Sequence, residues 1–394
     1  MSRLLIENSR IWLEDHFVSG HTLVISDGLI TDLHPSPSVE TTPGDRRIDG
    51  GGAYALPGFV DVHVHGSNGF DVMDGTETSL RGLCHFVVRH GVTSFLGTTM
   101  SSSRERIEAA LAAMSAYADR PHSPFLGVHL EGPYLNRAYR GSQPEKHLRA
   151  PQLAEYLPWL DSGQIKLITL APELDGAEGL MRAAVERGIV VSLGHSGASY
   201  EATHDYIRAG LEQITHTFNG MAGVHHRQPG SFVAASEHPQ VSFQIIPDGV
   251  HVHPAVVRLL HRLVGVERVL AITDAMRAAG LPDGEFGMGD VPCVVKDGIA
   301  RDRDGSLAGS TLTMAQALRN MMSFCDLSLV EALPMVTRAP ARSIGMYPQK
   351  GSLQMGTDAD LVIWDEKIGV QATIIGGKLV YQTEDEFTAA TADG

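Results

Sequence analysis

The sequence predicts an α/β protein built on a (β/α)8 barrel of the TIM type, with a small β-sandwich domain formed from both chain termini. Three observations lead to this fold class. Apolar, strand-like segments alternate with helical segments about every 25 to 40 residues through the middle of the chain, which is the pattern of parallel strands joined by helices. Eight such strands can be counted there. Both ends of the chain are instead rich in short strands and turns.

The eight predicted barrel strands are centred near Val62, Phe95, Val128, Ile168, Val191, Ile214, Phe243 and Ala271. An open doubly wound sheet is the structural alternative, but the chain has no Gly-rich phosphate-binding fingerprint at the end of a strand. A closed barrel of this kind takes about 250 residues, which the central segment can supply. We therefore assign residues 55–347 to the barrel, and residues 1–54 together with 348–394 to the small β domain.

Further strands, a hairpin and two helices are predicted outside the eight barrel strands. Strands are expected near the N-terminus at 3–7, 21–25 and 27–34, and near the C-terminus at 359–364 and 372–381. After the eighth barrel strand, the apolar segment 291–300 and the turn at 302–305 predict a hairpin insertion. Helical spacing of apolar residues then predicts helices within 313–322 and 328–336.

Composition and charge exclude several classes of protein. Of the 394 residues, 31 are Lys or Arg and 46 are Asp or Glu, so the formal net charge is −15, which argues against a nucleic-acid or anionic-membrane binder. Three widely spaced cysteines, Cys84, Cys293 and Cys325, predict neither a disulfide framework nor a CxxC metal site, and they favour the reducing cytoplasm. The first residues carry acidic side chains and no long apolar run, so neither a signal peptide nor a membrane span is expected.

The first barrel strand carries polar residues at alternate positions. In a strand, side chains point to opposite faces with period two, so Asp61, His63 and His65 share one face of the segment 57–66. Three polar groups on one face of an otherwise apolar strand need polar partners inside the barrel.

His, Glu or Asp residues terminate six of the predicted strands, and the carboxyl ends of all barrel strands meet at one mouth. The residues at these ends are His63 and His65 on strand one, Glu131 on strand three, His195 on strand five, His216 on strand six, His251 after strand seven and Asp274 on strand eight. Each of them alone could be an ordinary structural residue. Together they predict a divalent metal site, because neutral imidazoles and carboxylates are the ligands of such ions.

Eight motifs in this order make the sequence resemble the amidohydrolase superfamily and, within it, the family of N-acetylglucosamine-6-phosphate deacetylases. The motifs are PGFVDVHVHG (57–66), HLEGPY (129–134), GHSGA (194–198), THTFNGM (215–221), HHRQPG (225–230), DGVHVHP (248–254), TDAM (273–276) and LAGSTLTM (307–314). The resemblance covers nearly the whole chain. It implies a metal-dependent barrel with an accessory β-sandwich, and hydrolysis of the acetamide of N-acetyl-D-glucosamine 6-phosphate to glucosamine 6-phosphate and acetate in amino-sugar catabolism.

By the same resemblance, Glu131, His195 and His216 are the principal metal ligands. Asp274 is the acid and base that also faces the metal, and His251 stabilises the oxyanion. One or two divalent metals are expected, with zinc favoured and iron, cobalt or manganese as alternatives.

The pair His63 and His65 favours a site able to hold a second metal. The alternative is that both residues only hydrogen-bond around a single ion.

The resemblance also implies a set of substrate contacts. An arginine forks onto phosphate oxygens, so Arg227 is expected to bind the 6-phosphate from a neighbouring subunit, in a homodimer with shared sites. The other expected substrate-binding residues are Gln143, Asn219, Gly220, His226, His251, Leu307, Ala308 and Gly309.

Two positions depart from the family pattern and leave the sugar epimer open. Gln143 stands where the family often has His, and Gln228 stands where it often has Glu. The alternatives are therefore a deacetylase of another N-acetylhexosamine phosphate, such as N-acetylgalactosamine 6-phosphate, or another amidohydrolase. A non-catalytic metal-binding barrel is disfavoured because the metal ligands and Asp274 occur together. A serine hydrolase is excluded because Ala198 stands where the GxSxG elbow requires glycine.

Overall fold

Eight parallel strands from the middle of the chain form one sheet, in a computed structural model that describes residues 3–36, 38–40, 42–118 and 120–383. A parallel bridge between Val64 and Ala275 joins the ends of the first and eighth strands, and the amide of Asp274 donates to the carbonyl of His63 across the same seam. The predicted (β/α)8 barrel is therefore confirmed. In chain order the eight barrel strands are Phe59–Val64, Val92–Thr98, Phe125–Glu131, Ile165–Leu170, Val190–Leu193, Leu211–Ile214, Ser242–Ile245 and Val269–Ala271.

One α-helix follows each barrel strand, and a few further short helices complete the helical layer. Helix starts follow ordinary capping chemistry: Thr76 caps the helix after strand one through its side-chain oxygen, and Thr313 caps the helix after strand eight in the same way. The α-helices are Glu77–Val88, Arg104–Tyr117, Leu153–Leu160, Ala177–Val185, Tyr200–Arg208, Gly230–Ser236, Pro254–Val264, Met314–Cys325, Leu329–Ala332 and Arg338–Ser343. The 3-10 helices are Val72–Asp74, Arg137–Tyr139, Glu145–His147, Val266–Arg268 and Leu333–Val336.

The two faces of the first barrel strand differ as the sequence predicts. Val60 and Val62 belong to the hydrophobic core, whereas the ring of His63 reaches the side chain of Gln244 on strand seven and the side chain of Asp61 accepts a hydrogen bond from Thr273. Because strand seven does not neighbour strand one, this contact crosses the barrel interior. The polar face of strand one therefore points inward.

Two further sheets form the small β domain. One sheet comes from the N-terminal region and has the strand order Leu29–Pro35, His21–Ser26, Leu4–Glu7 and Arg46–Asp49. The other combines both ends of the chain in the order Lys378–Gln382, Gly369–Ile375, Leu361–Asp365, Tyr54–Pro57, Arg10–Leu13 and His16–Val18.

The predicted domain boundaries stay predictions, and the strand Tyr54–Pro57 spans the boundary predicted between residues 54 and 55. The predicted segment 384–394 of the small domain lies outside the described residues.

The insertion after the eighth barrel strand is larger than the predicted hairpin. It is a three-stranded antiparallel sheet of Gly284–Met288, Val291–Lys296 and Ile299–Asp302. The first of these strands reads GEFGM and is mostly half-exposed, so it lacks the apolar alternation by which strands are recognised in a sequence. The turn at 302–305 follows the third strand instead of joining two strands of a hairpin.

A short two-stranded ribbon of Gly66–Ser67 and Phe70–Asp71 follows the first barrel strand. In the part of the chain that the structure describes, no helix is both long and apolar enough to cross a membrane.

Candidate active site

Six buried side chains from five barrel strands meet at the carboxyl end of the barrel. Within the described residues they form two groups of three. In each group, the potential ligand atoms lie within 4.8 Å of one another. The first group is Glu131, His195 and His216, and the second is His63, His65 and Asp274. The structure thus brings together the six residues that the sequence predicts as metal ligands.

The first group converges on a single carboxylate oxygen. Oε1 of Glu131 lies 3.0 Å from Nε2 of His216 and 3.3 Å from Nε2 of His195. The two Nε2 atoms lie 3.2 Å from each other. His195 is oriented from behind, because its Nδ1 donates to the backbone carbonyl of Tyr139 over 2.9 Å.

The second group converges on Asp274. Oδ1 of Asp274 lies 3.2 Å from Nε2 of His65 and 3.5 Å from Nε2 of His63. This oxygen is buried and has no hydrogen-bond partner among the described residues. The two groups are adjacent, since Oε2 of Glu131 is only 3.4 Å from Nε2 of His65.

The tautomer of His63 follows from a chain of hydrogen bonds through the barrel interior. The amide nitrogen of Gln213 donates to the carbonyl of Ser343, so its side-chain oxygen accepts from the amide nitrogen of Gln244. The oxygen of Gln244 is then left to accept from Nδ1 of His63 over 3.0 Å. His65 is fixed in the same sense, because its Nδ1 donates to the carbonyl of Thr98 over 3.1 Å.

With both Nδ1 atoms donating, the neutral rings of His63 and His65 aim their Nε2 lone pairs at each other over 3.1 Å. Two lone pairs at this distance repel each other, and a cation bound beside them would remove that repulsion. Burial lowers the pKa of His63 to about 4. Burial acts in the same direction on His65, but its contacts with the carboxylates of Asp274 and Glu131 outweigh it and raise its pKa to about 10.

Both carboxylates of the site are held in their ionised form. Burial opposes ionisation of Glu131, but its contacts with the imidazoles of His63, His195 and His216 keep its pKa well below the usual range. Burial likewise opposes ionisation of Asp274, and the surrounding imidazoles nevertheless lower its pKa to about 2. Two buried carboxylates and four imidazoles are a donor set that fits a divalent cation.

Three of these side chains sit on strained backbone. His195, His216 and Asp274 have φ angles of 50°, 26° and 47°, in the left-handed region that residues with a side chain seldom adopt. Such conformations cost of the order of 1–3 kcal/mol each and cluster at functional sites. The strain places the three functional groups at the mouth directly after their strands end.

His251 is held by the loop that follows strand seven. Its Nδ1 lies 2.7 Å from Oδ2 of Asp248, and Oδ1 of Asp248 accepts the backbone amides of Val250 and His251 over 2.8 Å each. Burial opposes ionisation of Asp248, but these hydrogen bonds lower its pKa. Because an ionised carboxylate only accepts, Nδ1 of His251 must carry a proton and donate it.

A cavity of 220 Å³ opens above the two ligand groups. The predicted substrate-binding residues that line it are Gln143, Asn219, Gly220, His251, Leu307 and Gly309. Its wall also includes Met288 and Ser306, so the three-stranded insertion and the turn after it form one side of the cavity.

Three predicted substrate-binding residues do not line this cavity. Ala308 is buried, and its backbone amide donates to the carbonyl of Ala300. His226 and Arg227 are exposed, and Nη1 of Arg227 lies 2.7 Å from Nε2 of His226. The cavity of a single chain therefore holds no contact from the predicted phosphate-binding arginine.

Gln143 and Gly220 each lie against one of the predicted metal ligands. Both ends of the Gln143 amide are engaged by protein atoms, the backbone amide of Ser101 and the carboxylate of Glu131. At Gly220, where φ is 58°, a Cβ atom would stand only 2.8 Å from Nδ1 of His195. Glycine at this position thus leaves room for the ring of His195.

Sequence reasoning missed the residues that hold the site from behind. Asp248 lies inside the quoted motif 248–254, and an acidic residue three positions before a histidine was the available signal. Gln244 follows the alternation of strand seven, but nothing local distinguishes a buried glutamine that supports a histidine from one that packs elsewhere.

Comparison with known proteins decides the family. The profile of the amidohydrolase family matches residues 54–380. The chain belongs to the amidohydrolase family. This amidohydrolase is 38% identical to N-acetylglucosamine-6-phosphate deacetylase of Vibrio furnissii over 87% of this chain and 88% of the relative. It is also 36% identical to N-acetylgalactosamine-6-phosphate deacetylase of Escherichia coli O157:H7, over 96% of this chain and 97% of the relative.

A solved structure agrees with these relatives. The amidohydrolase superposes on a mutant N-acetyl-D-glucosamine-6-phosphate deacetylase from Mycobacterium smegmatis, solved in complex with N-acetyl-D-glucosamine-6-phosphate, with a TM-score of 0.89 and 30% identity. The match covers 97% of this chain and 100% of the other. The resemblance to this group of deacetylases that the motifs indicate is confirmed.

Proposed function

We propose that this amidohydrolase hydrolyses the acetamide of N-acetyl-D-glucosamine 6-phosphate to glucosamine 6-phosphate and acetate. The observation that carries the proposal is the convergence of Glu131, His195 and His216 beside the carboxylate of Asp274 at the floor of an open cavity. Hydrolysis of an amide needs an activated water, a polarised carbonyl and a group that moves a proton, and this arrangement offers a place for each.

A divalent metal fits the donor set, because lone pairs of four imidazoles and two ionised carboxylates converge on the cavity floor. Glu131, His195 and His216 would hold it, and His63, His65 and Asp274 would hold a second ion. A metal held by these residues would lower the pKa of a bound water towards about 7 and would polarise the acetyl carbonyl. Zinc is the proposed ion, with iron, cobalt and manganese as alternatives that suit the same ligands.

Asp274 is proposed as the group that moves the proton. The surrounding imidazoles hold its carboxylate in the ionised form, and an ionised carboxylate can accept a proton from the attacking water. Asp274 lines the cavity, so its carboxylate can return the proton to the leaving nitrogen of the sugar.

His251 is proposed to stabilise the oxyanion that forms on the acetyl group. It lines the cavity, and the hydrogen bond from its Nδ1 to Asp248 holds the ring in place, so Nε2 is the ring nitrogen left to interact with the acetyl oxygen.

The sugar and its phosphate are proposed to occupy the cavity and its mouth. Asn219, Gly220, Leu307 and Gly309 line the walls, and this supports their predicted role in substrate binding. The phosphate is proposed to meet Arg227 of a partner subunit in a homodimer. The exposure of Arg227 supports this assignment, since a side chain that reaches into another chain must project from its own.

N-acetylgalactosamine 6-phosphate is the second candidate substrate. The relative from Escherichia coli O157:H7 carries that name and matches this chain at 36% identity over 96% of its length. The reaction and the proposed catalytic residues are the same for both sugars, and only the contacts at one hydroxyl group differ.

The cytoplasm is the proposed compartment. Cys84, Cys293 and Cys325 are all buried free thiols, as expected for a protein of a reducing environment.

The decisive experiment measures acetate release by metal-replete protein from four sugars: N-acetylglucosamine and N-acetylgalactosamine, each with and without the 6-phosphate. We expect rapid release from the 6-phosphate of the glucosamine type and much slower release from the unphosphorylated sugars. Rapid release from the galactosamine type alone would select the second candidate. Absence of acetate from every sugar, with the metal content verified, would contradict the proposal.

A further inference from the structure

The loop after the third barrel strand brings Gln143 against the carboxylate of Glu131. Its amide nitrogen lies 2.9 Å from Oε2 of Glu131, and its amide oxygen lies 2.9 Å from the backbone nitrogen of Ser101. The side chain is almost fully buried, with 2% of its surface exposed. Both polar ends of Gln143 are therefore satisfied by the protein itself.

The orientation of this amide is fixed by its backbone partner. The N–H of Ser101 can only donate, so the atom facing it must be the Gln143 oxygen. The NH2 group must then face Glu131, and it donates to an ionised carboxylate, which makes the hydrogen bond a strong one.

The bond acts on one oxygen of Glu131 and leaves the other to the two neighbouring histidines. Oε2 accepts from Gln143, whereas Oε1 points to Nε2 of His195 and His216. A carboxylate held in this way offers a single, pre-aimed oxygen to an ion bound with the two histidines. Groups that orient metal ligands from behind typically contribute 10- to 100-fold to metal affinity.

We propose that Gln143 is a positioning residue for Glu131, and that it sets the metal affinity of the site instead of binding a sugar hydroxyl. The proposal rests on the proposed function for the identity of the site, but its measurement requires no substrate. It replaces the substrate-binding role predicted for Gln143 from the sequence.

The test compares Gln143→Met with the wild type in equilibrium dialysis against chelator-buffered Zn²⁺, with bound zinc measured by mass spectrometry. Methionine preserves the length of the side chain and removes both polar contacts. We expect the dissociation constant for zinc to rise 10- to 100-fold. Gln240→Met is the matched control, because Gln240 is exposed and lies just before strand seven, at the opposite end of the barrel from the site. It should bind zinc like the wild type.

A conservative variant separates positioning from mere packing. An imidazole can accept from Ser101 with one ring nitrogen and donate to Glu131 with the other, so Gln143→His should retain zinc affinity within about threefold of the wild type. If the circular dichroism of Gln143→Met shows that it does not fold, the zinc affinity of Gln143→Leu is compared with that of Gln143→His instead. Equal zinc affinity in the wild type and the apolar variant would overturn the proposal.

Kinetics at saturating zinc distinguish the two roles of Gln143. A positioning role predicts that the KM for the phosphorylated sugar stays within about threefold of the wild type once the site is filled. A tenfold higher KM with unchanged zinc affinity would show instead that Gln143 contacts the sugar. Failure of the proposed function would appear separately, as absence of acetate release by the wild type.

Discussion

Nε2 of His63 and Nε2 of His65 lie 3.1 Å apart, and each ring donates its Nδ1 proton to an oxygen on another barrel strand. This arrangement fixes both lone pairs towards a common point next to Oδ1 of Asp274. The pair is therefore prepared for a cation, and we predict that a second metal binds there.

The change His65→Asn should remove this second metal and leave the first in place. Asparagine is too short to bring a ligand atom to the position of the imidazole Nε2, whereas Glu131, His195 and His216 are untouched. We expect zinc stoichiometry at saturation to fall from about two to about one per chain in a titration followed by mass spectrometry. A wild type that saturates at one zinc would favour the alternative, in which His63 and His65 only hydrogen-bond around a single ion.

Asp274→Asn tests the proton-transfer role. The substitution keeps the shape of the side chain and one oxygen, but an amide cannot accept the proton of water as a carboxylate does. We expect kcat to fall by about 10²–10⁴-fold while zinc remains bound at Glu131, His195 and His216. Acetate release measures the turnover, and the metal content should be determined on the same sample. Retained activity would exclude Asp274 as the proton shuttle.

Asp248→Asn tests whether the charge of Asp248 supports the proposed oxyanion role of His251. The asparagine oxygen can still accept from Nδ1 of His251, so the ring should keep its orientation, but the negative charge beside the ring is lost. We expect kcat to fall by roughly 10-fold or more with little change in KM, because the effect concerns the oxyanion of the transition state. A change confined to KM would indicate instead that Asp248 shapes the substrate pocket.

Much of the site is predictable because its signals are local. The alternation of Asp61, His63 and His65 indicates an inward polar face within a short segment, and a position at a strand end is enough to direct Glu131 or Asp274 to the mouth of a barrel. Each of these inferences needs only the strand and its closure into a barrel.

The contacts that support the ligands are not predictable in this way. Gln143 lies 12 positions after Glu131, and the loop between them folds back to bring the two side chains together. No periodic pattern in the sequence predicts how this loop folds. The chain from His63 through Gln244 to Gln213 joins strands one, seven and six, so it exists only after the barrel has closed. The strand Gly284–Met288 was missed because its half-exposed side chains lack an apolar alternation.

His90 offers a prediction about stability and pH. Its ring packs against Phe86 with centroids 4.6 Å apart, and burial, together with the charge of Arg89, lowers its pKa to about 4. In the unfolded chain the pKa should be near the model-peptide value of about 6.5. Between these two values the unfolded state binds the proton more readily than the folded state, so stability is lost as the pH falls from about 6.5 to about 4.

His90→Gln should remove this part of the acid sensitivity. We expect the free energy of unfolding of the wild type to drop by roughly 1–2 kcal/mol more than that of the variant between pH 7.5 and pH 5. Urea unfolding of the metal-free protein at each pH measures this free energy. The metal-ligand histidines are the same in both proteins, so their contribution cancels in the comparison. An identical pH dependence of the two proteins would show that His90 remains free to ionise in the fold.

Arg227 gives the sharpest test of a shared active site, because the side chain is exposed and does not line the cavity of its own chain. Arg227→Ala should raise the KM for the 6-phosphate sugar far more than the KM for the unphosphorylated sugar, since only the former loses a charged contact. Equal effects on both sugars would contradict the phosphate role.

Mixing Arg227→Ala subunits with Asp274→Asn subunits decides which chain supplies the arginine. If Arg227 acts across the interface, each mixed dimer has one complete site, with Asp274 from one subunit and Arg227 from the other. At equal subunit amounts half of the dimers are mixed, so about a quarter of the wild-type activity should appear at low substrate concentration with a wild-type KM. If Arg227 acts within its own chain, every site of the mixed dimer lacks one of the two residues, and mixing restores nothing.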